Sequence, residues 1–311
     1  MTQDVINCPA CSRRTPAARG KCIYCGAGLP VVKIETAPRQ RPLETHERAF
    51  NTLLEPARIR VDENTSASLA AALNIDVTEA ASYLSASKRV PIARSQTRHE
   101  AELIATLIRT CGLNSSVMAD EEMRLDKELI RARRVVRAHK DITIHHVAGE
   151  KSVSSSEVRL LVVGLLRSNR VEYTETRPSS RNTGGLVDSS EFQGDEMLLD
   201  VYTGSIDQSF RIKADAFDYA GLVWPLSFRA EVNFQVAVGA IHGMAPQAVV
   251  DDAFAKLRGL LSRAWPERSR TEARGIRRSG LSLRPVAQSS VISDNRDQFD
   301  RYSRLMFLSV K

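Results

Sequence analysis

Four of the five cysteines are spaced for metal chemistry: Cys8-Pro-Ala-Cys11, ten residues, then Cys22-Ile-Tyr-Cys25-Gly26. A C-x-x-C pair curls two thiolates toward one ion, and two pairs supply the tetrahedral sulfur set that Zn2+ takes. A glycine straight after the second pair lets the backbone turn with positive φ and aim amides at sulfur. Four cysteines leave no open position for water, so the chemistry expected of this site is structural. Two disulfides would need an oxidising compartment. A redox C-x-x-C would stand alone, after a strand and opening a helix. The fifth cysteine, Cys111, falls in an apolar helical stripe and is expected to be a core residue.

On these residues, and on the run Cys22-Ile-Tyr-Cys25-Gly26-Ala-Gly-Leu-Pro30, the N-terminus resembles a zinc ribbon. The resemblance implies a small metal-dependent domain over residues 1–30 with Cys8, Cys11, Cys22 and Cys25 as its ligands. Residues 31–42, containing Thr36-Ala-Pro-Arg-Gln-Arg-Pro42, read as a linker.

Elsewhere the chemistry is sparse. The sequence contains no G-x-x-x-x-G-K-[ST], G-x-G-x-x-G, H-E-x-x-H or G-x-S-x-G. His145-His146 falls in an expected strand, so the two rings point to opposite faces. Asp251-Asp252 reads as acid in the first turn of a helix, complementing its dipole. The basic residues do cluster. Arg263, Arg268, Arg270, Arg274, Arg277, Arg278 and Arg284 face only Glu267 and Glu272, a net +5. This stretch reads as a surface loop, broken by Gly275, Gly280 and Pro285. It is either a solvated loop or a phosphate-contacting segment, with Trp265 either packed in the core or free to stack on a base.

The elements that must carry these residues form two further regions. Between residues 43 and 125 a small α/β domain is expected. It has a strand at Pro56–Val61, helices at Ser66–Leu73 and Asp76–Leu84, and a proline-interrupted strand at Arg89–Arg94. A helix follows, opened by the capping box Thr97-Arg-His-Glu100 and stopped by Gly112, and then a strand at Asn114–Met118. Through Val77-Thr-Glu-Ala80, Val90-Pro91, His99-Glu-Ala-Glu102 and Gly112-Leu113 this region resembles the C-terminal domain of the bacterial ribosomal stalk protein. The resemblance implies an α/β protein-binding module. That family binds translation factors through a lysine-bearing helix surface; the helices here carry few lysines, so the factor binding is not carried over.

Residues 131–311 read as strands around Lys140-Asp141, an apolar central strand at Ser156–Leu166 and an alternating strand at Val171–Thr176. A long loop is expected at 177–195, then a hairpin of Glu196–Thr203 with Gln208–Lys213. Helices are expected at Ala230–Ile241 and Pro246–Trp265, and Phe299–Leu308 should dock back as a helix or strand. The order of elements, with Ser156-Glu-Val-Arg and Phe210-Arg-Ile, resembles a bacterial pleckstrin-homology-like domain. That implies a mainly antiparallel, barrel-like domain closed by helices, with a binding surface in place of a reaction centre. Lys140 is the sole basic residue in the loop that would hold a lipid phosphate, so phosphoinositide binding is not expected.

The fold class is therefore multidomain α+β. A hydrophobic content of 42% and a charged content of 26% fit a folded chain. No stretch nears the roughly 18 apolar residues of a membrane span, and no signal-peptide core opens the chain, so a cytoplasmic protein is expected. The formal charge of +7 admits an acidic partner. The function expected is that of a zinc-binding, non-enzymatic adaptor with a protein partner. The alternative is a nucleic-acid-binding regulatory or translation-associated protein that uses the ribbon and the arginines.

Overall fold

A computed structural model of the protein describes residues 5–8, 10–16, 22, 24–27, 43, 47–56, 62–139, 141–176, 186–222, 225–279 and 284–310. The chain divides into two compact units, Met1–Arg39 and Gln40–Lys311. The first contains a short antiparallel hairpin, β1 (Val5–Asn7) and β2 (Arg14–Pro16), with Ile6 opposite Thr15.

The second unit begins with β3 (Phe50–Leu54). This strand lies ahead of the one expected at Pro56–Val61, of which residues 57–61 lie outside the described residues. Two short helices follow, α1 (Glu63–Leu73) and α2 (Val77–Ser85). Each opens on an aspartate that accepts an early amide: Thr65 N to Asp62 at 2.8 Å, Thr78 N to Asp76 at 2.7 Å. β4 (Val90–Ser95) is buried throughout. α3 (Arg98–Thr110) carries the expected capping box, Glu100 N donating to Thr97 and Thr97 N to Glu100, each at 3.2 Å. Gly112, at φ 77°, turns the chain into β5 (Ser115–Ala119). The strands pair antiparallel in the order β4-β3-β5.

Next come β6 (Ile130–Ala132) and a three-stranded meander, β7 (Arg134–Ala138), β8 (Asp141–His146) and β9 (Gly149–Ser154). β10 (Leu160–Thr176) and β11 (Leu186–Tyr202) are seventeen residues each and pair along their whole length. β12 (Phe210–Lys213), α4 (Ala230–Met244), β13 (Val249–Asp251) and α5 (Phe254–Leu261) follow. The chain then makes β14 (Arg268–Ser279), β15 (Arg284–Asp294) and α6 (Arg296–Val310). The large sheet runs β14-β15-β10-β11-β12-β6, with β13 parallel to β10. It is an open path among the described residues, not a closed barrel. The protein is thus mixed α/β, with six α-helices and several sheets among the described residues. No described helix is long and apolar enough to cross a membrane.

Three expectations are corrected. The stretch expected as an arginine loop is strand β14, paired along β15. Residues Arg268-Ser-Arg-Thr-Glu272 are exposed at every position, so the strand is held by its pairing with β15, and a register shift between Ala273 and Ile276 absorbs Gly275. Residues 186–195, expected as loop, extend β11. Residues 189–195 are exposed and mostly polar, and they hid a strand whose stability comes from its non-local partner β10. The helix expected from Pro246 to Trp265 is instead β13 followed by the shorter α5, because Val249–Asp251 pairs with Leu160–Val162.

β10 explains why residues 43–125 and 131–311 share a core. At its start both faces are covered, giving the continuous apolar run Leu160-Leu-Val162. Leu160, Val162 and Leu166 pack in one cluster with Leu53, Leu69, Tyr83 and Ile104, and with Trp265, Phe299 and Phe307. Leu161 packs on the other side with Val135, Ile144, Leu199, Phe210 and Phe234. α6, which docks as expected, lies against β10 at Gly164. A Cβ at Gly164 would come within 2.4 Å of the Phe299 ring, so only glycine permits this approach.

Candidate metal centre

The two C-x-x-C turns have matching backbones. The Ser12 amide donates to the Cys8 carbonyl at 2.8 Å and the Gly26 amide to the Cys22 carbonyl at 3.0 Å. Likewise Cys8 N donates to Arg13 O at 3.0 Å and Cys22 N to Ala27 O at 2.8 Å. The residue after each second cysteine has positive φ, 58° at Ser12 and 70° at Gly26. The glycine was legible in the sequence; the serine adopts the same strained region without that signal. β1 and β2 hold the first turn by pairing either side of it.

These turns bring four sulfurs together, all within 4.8 Å of one another, with Cys8 to Cys25 and Cys11 to Cys22 at 3.6 Å. A tetrahedral ion with bonds of about 2.3 Å requires sulfur separations of roughly 3.8 Å. A disulfide requires about 2.05 Å, and all four cysteines are free. Cys8 and Cys22 are buried, whereas Cys25 is exposed. The Tyr24 amide donates to Cys22 Sγ at 3.4 Å and, against desolvation, lowers that thiol to about 6. At Cys25 the Ala27 amide acts in the same sense, but hydrogen bonds with Cys11, Cys22 and Cys8, together with desolvation, outweigh it and push the thiol up to about 12. Thiolates this close repel one another unless a cation sits between them. The cluster can therefore hold a metal ion in a closed four-sulfur shell.

The arginines do not form one patch. Arg263 lies beyond α5, 3.6 Å from Glu79. Arg268 and Arg270 sit on β14, 3.8 Å from Asp297 and 3.4 Å from Glu272 respectively. Arg274, Arg277 and Arg278 are on β14 and Arg284 opens β15, but their side chains lie outside what is described. Lys140 lies outside the described residues. Trp265 is not a free stacking group: it is 2% exposed and donates from Nε1 to Asn51 Oδ1 at 2.8 Å. Cys111 caps the end of α3 and packs against the first core cluster. His145 and His146 are each half-buried, and His145 Nδ1 lies 2.9 Å from Glu150.

Buried ionic networks escaped the sequence reading. Asp120 accepts from Asn51, Arg94 and Arg301 at 2.6–2.8 Å, tying α6 to residues 47–123. Asp251, far from marking a helix start, is 2% exposed, paired with Lys88 at 2.6 Å and hydrogen-bonded by Tyr302 at 2.7 Å. Asp200 is fully buried and takes a bidentate contact from Arg211 at 2.6 and 2.7 Å, with Ser303 adding a third bond at 2.6 Å. Desolvation alone would lower Arg211; Asp200 and Asp300 hold it well above its ordinary value. The available signal was an acid inside an apolar strand, as in Met197-Leu-Leu-Asp-Val201. No protein-family model, curated protein or solved structure matches this chain.

Proposed function

We propose that the chain is a zinc-binding, non-enzymatic adaptor of the cytoplasm, whose N-terminal ribbon and larger α/β unit engage a protein partner. The observation that carries this reading is the closed shell of Cys8, Cys11, Cys22 and Cys25, with all sulfurs within 4.8 Å. Such a shell braces a fold and offers no coordination site to a substrate. Four thiolates at tetrahedral spacing suit zinc and also iron, and elemental analysis distinguishes the two. The test pairs elemental analysis with reconstitution. Intact chain should carry one zinc and bind a purified partner stoichiometrically, and Cys8→Ser/Cys11→Ser should lose both. Zinc-free native protein, or partner binding unchanged in the variant, would refute the reading.

A second reading, nucleic-acid binding, is favoured by one observation: β14 places Arg268, Arg270, Arg274, Arg277 and Arg278 on a strand paired on one side only among the described residues. Neutralising phosphates imposes a steep salt slope. Anisotropy of labelled RNA and DNA across a salt series, with intact chain and Arg274→Ala/Arg277→Ala/Arg278→Ala, decides it. An unchanged affinity in the variant rejects it.

A further inference from the structure

A cavity of about 470 Å³ opens beside β6, β12 and the first half of α6. Most cations in its wall are already matched by carboxylates. Arg211 is paired with Asp200 and Asp300, Lys213 and Arg296 with Glu196, and Arg301 with Asp120. Among the described residues, Lys127, Arg131 and Arg304 line the cavity without an acidic partner, and Glu128 is the one lining acid left unpaired. Arg304 is the most constrained of the three, at 5% exposed. Its Nη2 donates to the Lys127 carbonyl and its guanidinium lies over the Tyr202 ring at 5.8 Å. Its Nη1 is buried and has no hydrogen-bond partner among the described residues. A buried charged donor left unpaired is costly, so a group that satisfies it stabilises the fold.

We propose that this cavity binds a small phosphate-bearing anion, held by Arg304 Nη1, Lys127 and Arg131. Three cations against Glu128 leave two positive charges, which match a phosphate dianion better than a monocarboxylate. A guanidinium fixed by stacking presents its remaining donor in a set direction, as oxyanion recognition requires. The first turn of α6 lines the same cavity, and its amide dipole adds in the same sense. The space exceeds a bare phosphate, and Leu125 and Leu129 give it an apolar side for the organic part of a monoester. This site is independent of the cysteine cluster.

The experiment is calorimetric titration of the full zinc-loaded chain with glycerol 3-phosphate, inorganic phosphate and acetate at matched ionic strength. Saturable one-to-one binding of a phosphate probe, with acetate inert, is expected. Lys127→Gln/Arg131→Gln should weaken it by about tenfold or more, since charge-assisted hydrogen bonds are lost. Both positions are exposed, so the melting temperature should hold. Arg304→Met should abolish binding, but the double variant keeps the test valid if Arg304→Met does not fold. Sedimentation with vesicles containing phosphatidic acid separates the sources of the phosphate: co-sedimentation that depends on Lys127 and Arg131 assigns a lipid headgroup, and binding of the soluble ester alone assigns a free metabolite. No saturable binding of any phosphate probe, equal binding of acetate, or undiminished affinity in the double variant would overturn the proposal.

Discussion

Replacing Gly164 with alanine adds one methyl group to a buried strand, a change that at an unstrained site would be neutral or stabilising by about 0.4–1 kcal/mol. Here the new carbon would sit 2.4 Å from Phe299 Cε2 and 2.7 Å from two more ring atoms. Carbon contacts settle at about 3.5–4.0 Å, so the ring must retreat by about 1 Å. It cannot do so freely: Phe254 packs edge-on at 5.0 Å, Arg211 covers the ring at 5.4 Å, and Phe299 is fully buried. The cost should be that of overpacking, about 1–3 kcal/mol. Urea unfolding followed by the fluorescence of buried Trp265 measures it, with Phe299→Leu and the double variant completing a cycle. The smaller leucine should relieve the clash, so the double variant should be more stable than the two single losses predict, by at least about 1 kcal/mol. A Gly164→Ala protein within about 0.5 kcal/mol of the parent, or strictly additive losses, would show that α6 does not seat on β10 as described.

Removing zinc with a chelator, or making Cys22→Ser, should release one metal per chain but leave the Trp265 unfolding transition of the larger unit in place, since the two units are separately compact; elemental analysis and urea melts check both halves. Asp200→Ala should cost about 3–5 kcal/mol, because Arg211 loses its bidentate partner while staying buried; chemical denaturation reads the loss. Glu196 is held below its ordinary 4.5: burial would raise it, but Lys213 and Arg296 outweigh that. A depressed carboxyl contributes stability above its unfolded value and loses it as pH falls through the folded one. Glu196→Gln should therefore flatten the acid limb of stability below about pH 4.5, and a melting series from pH 6 to pH 3 would expose an unaltered limb. Thr97→Ala should cost about 1 kcal/mol through loss of the α3 cap; a melt shows whether it does.

What the sequence made legible was local. The two C-x-x-C turns, the Thr97–Glu100 box and the Gly112 stop each depend on residues a few positions apart, and each lies where expected. The failures were non-local. β14 is held by β15 and the outer part of β11 by β10, so their polar residues gave no apolar alternation to read. Val249–Asp251 left a helical pattern because β10 offered it a parallel partner. Nothing in the sequence marked the polar members of α6 for burial, yet Gln298, Arg301, Ser303 and Arg304 are buried. The partners of Arg301 and Ser303, Asp120 and Asp200, lie over 100 residues away, and nothing in a linear pattern pairs them.

The central position of α6 has a consequence for synthesis. The apolar faces of β3, α1 and α3 are made early, but the cluster they belong to is completed by Phe299, Tyr302, Leu305 and Phe307. At about 5–20 residues per second, roughly 10–50 s separate the emergence of Leu53 from that of Leu305. Throughout that interval the nascent chain carries an open hydrophobic surface, the state that holdase chaperones recognise. A stop codon at the start of the α6 coding stretch would remove these four side chains and leave the cluster open, however much of the preceding chain had been made.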